Sequence, residues 1–128
     1  AHPDFFLIIS YNPGYQSLMK DLKQSTRQRF GALDFSWPEA GAEAEIIAHE
    51  SGVDATTAKK LVEIGARARN LKGHGLDEGV STRMLVHAGR LIAQGVAPVP
   101  ACTMAIVRPI TDDPDMRDAL DAAVTTFF

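Results

Sequence analysis

The chain has 128 residues, about one domain's worth. Because 45% of them are apolar, a compact core is expected and disorder is not. The net charge of −3, with no basic block, excludes the electrostatic footprint of a nucleic-acid-binding module, so no nucleic-acid partner is expected. No apolar run approaches the about 20 residues that a membrane span requires. Ala1-His2-Pro3-Asp4 has neither the basic nor the apolar region of a secretory signal. The single cysteine, Cys102, rules out an internal disulfide and fits a reducing, cytoplasmic setting; on its own it reads as a small core residue. The four histidines are scattered, and no His/Cys cluster has the spacing of metal ligands.

Phe5-Phe6-Leu7-Ile8-Ile9-Ser10 is a short continuous apolar run that ends on the breaker Asn12-Pro13-Gly14. That pattern predicts a strand buried on both faces, as in parallel sheets. A second short strand is predicted from Ala32 to Phe35, with a turn, a short helix and a loop between Tyr15 and Arg29. Trp37-Pro38 closes this region. A sheet of two strands leaves open apolar edges, so further strands are expected ahead of residue 1.

Beyond Pro38 the periodicity becomes helical. A helix is predicted over Glu43 to Glu50, with Gly52 as its stop. Asp54 is a good N-cap for a helix to about Leu71, with Ala58, Leu61, Val62, Gly65 and Ala68 on its buried face. Ser81 caps a helix through Ala93 that buries Leu85, Ala88, Gly89 and Ile92. Pro98 and Pro100 bound a helix from Ala101 to about Val107. Asp113 caps a final helix with Pro114 in its first turn and a stripe of Met116, Leu120, Val124 and Phe127. The expected fold is therefore the end of an α/β domain over residues 1–38, followed by an all-helical bundle over residues 39–128.

Six residues could carry chemistry or bind an anion. Asn12 follows the apolar strand directly, and ligands in open parallel sheets lie beyond the strands' carboxyl ends. An amide there can orient a water or a phosphate; the plainer reading is a turn-former before Pro13. Arg27 and Arg29 precede the second strand, and an arginine fork pairs well with phosphate oxygens. Arg83 stands in the first turn of its helix, where the helix dipole disfavours a cation, which points to an anionic partner. Arg83, His87 and Arg90 share one helical face and could form an anion cradle. Solvated surface, or an internal carboxylate partner, is the alternative for each of these cations.

The order of these stretches is more specific than any one of them. Ile9-Ser10-Tyr11-Asn12-Pro13-Gly14-Tyr15-Gln16, Ser25-Thr26-Arg27-Gln28-Arg29-Phe30, Asn70-Leu71-Lys72-Gly73-His74-Gly75 with Gly79-Val80-Ser81-Thr82-Arg83, and Thr111-Asp112-Asp113-Pro114-Asp115 together resemble the AAA+ ATPase family. Within it the resemblance is to the MoxR group, on the CbbQ/NorQ branch, and it covers essentially the whole chain. It implies that residues 1–38 end the parallel-sheet nucleotide-binding core and that residues 39–128 form the helical lid.

The resemblance further implies a role for each candidate. Asn12 matches the sensor-1 asparagine that places the attacking water. Arg29 matches the finger that acts in trans, with Arg27 the second candidate, and Arg83 matches the sensor-2 arginine of the lid. ATP and Mg2+ are the implied cofactors of the whole protein. The implied partners are other copies in a hexameric ring, a von Willebrand A-domain adaptor, and a client enzyme, either Rubisco or nitric oxide reductase. The sequence departs from the family in lacking both the Gly-x-x-x-x-Gly-Lys-Ser/Thr phosphate loop and an acidic pair for magnesium. The chain alone is therefore expected to be inactive. Two rival readings are a non-catalytic helical interaction module and a small-molecule or nucleic-acid binder using Arg83, His87 and Arg90 as an anion cradle, with the acidic net charge counting against nucleic acid.

Overall fold

The computed structural model describes residues 2–10, 24–71 and 79–128. The chain divides into two compact units, Ala1–Ser36 and Trp37–Phe128. In the first unit the only regular element among the described residues is α1 (Gln24–Arg27), the short helix expected between the two apolar stretches. Neither predicted strand is present among the described residues: there Phe5 to Ser10 and Ala32 to Phe35 are irregular chain without a strand partner. A strand is stabilised by hydrogen bonds from a neighbouring strand, so local apolar character cannot make one alone. Phe6, Ile8, Leu33 and Phe35 are accordingly exposed.

The second unit is the helical bundle. It contains α2 (Ala40–Ser51), α3 (Ala55–Asn70), α4 (Thr82–Ala93), α5 (Pro98–Cys102), a π-helical turn (Thr103–Val107), α6 (Arg108–Ile110) and α7 (Pro114–Phe127). Helix α2 packs on α3 and α4, and α7 packs on α3 and on the 98–107 segment. Ile47, Leu61, Ile64, Val80, Leu85, Ile106, Leu120 and Val124 fill the core between them.

The helix boundaries follow from capping chemistry. Gly52 ends α2 in the left-handed region (φ 80°), and its amide donates to the Ala48 carbonyl at 2.9 Å. The Asp54 carboxylate accepts from the amides of Thr56 and Thr57 at 2.8 and 3.0 Å. Ser81 and Asp113 cap α4 and α7 through the amides of Met84 and Met116.

Two boundaries differ from expectation. Helix α2 starts at Ala40 rather than Glu43. The segment expected from Ala101 starts at Pro98, because prolines in a first turn lack only amides that the helix cannot use. The π-turn has the Arg108 amide donating to the Thr103 carbonyl and lies just before Pro109, which has no amide to offer.

Helices α2 and α4 cross closely at Gly89. A Cβ there would stand 2.5 Å from Ser51 Oγ and 2.8 Å from Ser51 Cβ, whereas at Gly65 it would meet only the mobile tip of Leu85. Gly89→Ala must therefore spread the two helices, and should cost about 1–3 kcal/mol in urea unfolding of the chain. Cys102 is fully buried, and burial pushes its thiol up to about 12. It should resist alkylation at neutral pH until the chain unfolds, measured by mass shift with iodoacetamide across a urea series.

Candidate functional site

The site is built on one buried carboxylate. Glu43 lies one turn before Ile47 and two before Ser51, all three on the inward face of α2, and is 1% exposed. Burial alone would push its pKa upward. Arg69, in the last turn of α3, reverses that with a two-pronged grip: Nη2 donates to Oε1 at 2.6 Å and Nη1 to Oε2 at 2.8 Å. The Thr82 hydroxyl adds a third bond, to Oε1 at 2.7 Å. These donors outweigh desolvation and hold the carboxyl below its ordinary 4.5.

Arg69 is itself held on other sides. Its Nε donates to the Val80 carbonyl at 2.8 Å, and the Trp37 ring lies 4.1 Å from the centre of its guanidinium. Trp37 thus joins the helical unit, which starts at that residue.

The network ends on the segment that opens α4. Val80 and Thr82 are its acceptor and donor, Ser81 between them is the N-cap, and Arg83 is the next residue. The Arg83 side chain is exposed and makes no hydrogen bond or ion pair among the described residues. His87 on the same face is also exposed. Arg90 turns away from any shared cradle: Nε donates to the Glu50 carbonyl at 3.2 Å and Nη2 stands 3.5 Å from the Glu50 carboxylate. A cation over the last carbonyls of α2 is favourably placed against that helix's dipole. The three-cation cradle is thereby reduced to Arg83 and His87.

The other candidates lie in the first unit. Arg27 ends α1, and Arg29 follows with an exposed side chain and its amide donating to the Thr26 carbonyl at 3.1 Å. Asn12 lies outside the described residues. No group of three or more His, Cys, Asp or Glu side chains that could hold a metal occurs among the described residues. No described helix is long and apolar enough to cross a membrane.

Sequence reasoning missed Glu43 and Arg69. A signal was present: positions 43, 47 and 51 recur at helical spacing, so Glu43 shares the face of Ile47 and needs a buried partner.

Residues 43–127 match the family model described as CbbQ/NirQ/NorQ C-terminal. The chain belongs to this family. It is 68% identical over 128 residues to Protein CbbQ of Hydrogenophilus thermoluteolus, covering 100% of this chain and 48% of that protein. It is 52% identical over 120 residues to the denitrification regulatory protein NirQ of Pseudomonas aeruginosa, covering 94% of this chain and 46% of the relative. With Protein NorQ of Paracoccus denitrificans the identity is 46% over 128 residues, covering 99% and 47%. The chain thus spans about half the length of the curated relatives it matches.

The pair has a definite pH signature. A carboxyl held below 4.5 contributes stability that is fully present above that pH and is lost as pH falls through the lower folded value. Urea unfolding from neutral to acid pH should show a loss of stability below 4.5 that is much reduced in Glu43→Gln; parallel profiles would remove Glu43 as the titrating group. At neutral pH, Arg69→Met leaves the carboxylate buried and unpaired and should cost about 3–5 kcal/mol.

Proposed function

We propose that this chain is the lid-bearing part of an AAA+ ATPase that uses ATP and Mg2+ to remodel a client enzyme. One observation carries the reading: the buried Glu43–Arg69 pair is bonded to both residues that flank the Ser81 cap, and the next side chain, Arg83, is an exposed cation in the first turn of α4. In this reading Arg83 is the lid arginine that contacts nucleotide, and its fork suits phosphate oxygens. Arg29, with Arg27 as the second candidate, reaches the γ-phosphate of a neighbouring subunit and stabilises charge on the transferring group. Asn12 orients the attacking water. The phosphate loop and the magnesium-binding acids belong to the remainder of the whole protein, of which this chain is about half by comparison with its relatives. The chain by itself has no ATPase activity in this reading.

The whole protein acts as a homo-oligomeric, hexameric ring in the cytoplasm, together with a von Willebrand A-domain adaptor. Rubisco is the favoured client, because the relative named CbbQ is 68% identical over the whole chain against 46% for the relative named NorQ. Activation of nitric oxide reductase, or metal insertion into it, is the second reading, supported by the relatives named NirQ and NorQ. The two are separated by assaying ATP-dependent recovery of inhibited Rubisco beside activation of nitric oxide reductase. A full-length protein without ATPase activity would leave only a non-catalytic helical interaction module.

In the full-length protein, Arg29→Ala should lower hydrolysis about 1,000-fold or more while ATP binding stays nearly unchanged. Equal loss of binding and hydrolysis would contradict action in trans. Arg83→Ala should weaken nucleotide binding or uncouple hydrolysis from client activation, read by nucleotide titration and by the client assay.

A further inference from the structure

A buried ion pair is not required for packing, since apolar side chains of similar volume fill such places without the desolvation cost. The Glu43–Arg69 pair differs from an apolar contact in having direction. Two of its hydrogen bonds leave the pair, and both end on the chain just ahead of Arg83. Thr82 Oγ1 donates to Glu43 Oε1 at 2.7 Å, and Arg69 Nε donates to the Val80 carbonyl at 2.8 Å. Ser81 lies between them with its hydroxyl accepting from the Met84 amide at 3.4 Å. Each of residues 80–82 therefore has a fixed partner, and two of the three partners come from other helices.

First turns fray because their amides have no acceptors within the helix. The dipole there also opposes a cation, which favours conformations that carry Arg83 away from the axis. Anchoring Thr82 counters the first effect. The second is countered by position rather than charge: the ion pair is neutral overall, and its bonds to Thr82 and to the Val80 carbonyl hold the backbone on both sides of the Ser81 cap.

We propose that Glu43 and Arg69 are positioning residues for Arg83, acting through the Thr82 hydroxyl and the Val80 carbonyl to fix the root of its side chain. This inference rests on the reading of Arg83 as a nucleotide contact. Thr82 separates positioning from general support of the bundle, because both carboxylate oxygens of Glu43 keep their bonds to Arg69 when the Thr82 hydroxyl is removed.

The experiment uses the full-length protein with Thr82→Val, Thr82→Ser, Arg83→Ala and the double variant Thr82→Val/Arg83→Ala. The readouts are titration with a fluorescent ATP analogue, steady-state ATP hydrolysis, client activation and thermal unfolding. Thr82→Val should weaken nucleotide binding or slow hydrolysis about 2- to 10-fold, the size of one hydrogen bond, and Thr82→Ser should restore it. In the Arg83→Ala background, Thr82→Val should cause no further loss, whatever it does to the melting temperature. Losses that multiply in the double variant would overturn the positioning role while leaving the nucleotide role of Arg83 intact. A Thr82→Val protein that binds and hydrolyses like the parent would do the same. An Arg83→Ala protein with unchanged binding, hydrolysis and client activation would overturn the nucleotide reading of Arg83, and the positioning role with it.

Discussion

The helical unit is organised around one desolvated charge. Once Glu43 lies on the inward face of α2, a carboxylate must be neutralised in the core or the face must open. Arg69 answers with both terminal nitrogens, and the remaining N–H on its chain side reaches the Val80 carbonyl. The consequence is geometric. The start of α2, the end of α3 and the start of α4 are tied at one point by directional bonds, whereas the surrounding contacts among Ile47, Leu61, Ile64 and Leu85 are apolar and define no orientation. Apolar burial gives the unit its cohesion, and the ion pair fixes the mutual register of three helix termini.

The far side of the bundle uses milder devices. Thr103, at the start of the π-turn, donates its hydroxyl hydrogen to Asp121 on α7 at 2.7 Å. Arg117 spans the approach to α7, with Nε on the Thr111 carbonyl at 2.9 Å and Nη2 on Asp112 at 2.6 Å. At the carboxyl end, Phe127 and Phe128 lie under Arg67 and Lys60 of α3, with ring centroids 4.6 and 4.8 Å from the cationic groups. These contacts are partly or wholly solvent-facing, so they trim α7 into place without the commitment of a buried charge.

The caps and breakers are legible in the sequence because they act over two to four residues. Gly52, Asp54, Ser81, Asp113 and Pro114 each do in the fold what their local chemistry requires. The buried faces of α3 and α4 were equally legible, since helical spacing alone selects Leu61, Ala68, Leu85 and Ala88. For Glu43 the spacing to Ile47 and Ser51 signals burial, but the identity of its partners is not legible, because they are 26 and 39 residues away. Phe5 to Ser10 and Ala32 to Phe35 show the opposite limit: apolar runs describe what a strand would bury, but pairing is a property of two segments. For Arg83, sequence reasoning identified a cation in an unfavourable place; how that place is braced became visible only with Thr82 and Val80 in view.

The chain contains a single tryptophan, and that indole rests on the guanidinium that holds the three helix termini together. Its fluorescence is therefore a local optical probe of this junction rather than an average over the molecule. A change in emission on loosening of the Arg69 contact, with the helical circular dichroism still intact, would distinguish release of the junction from unfolding of the bundle.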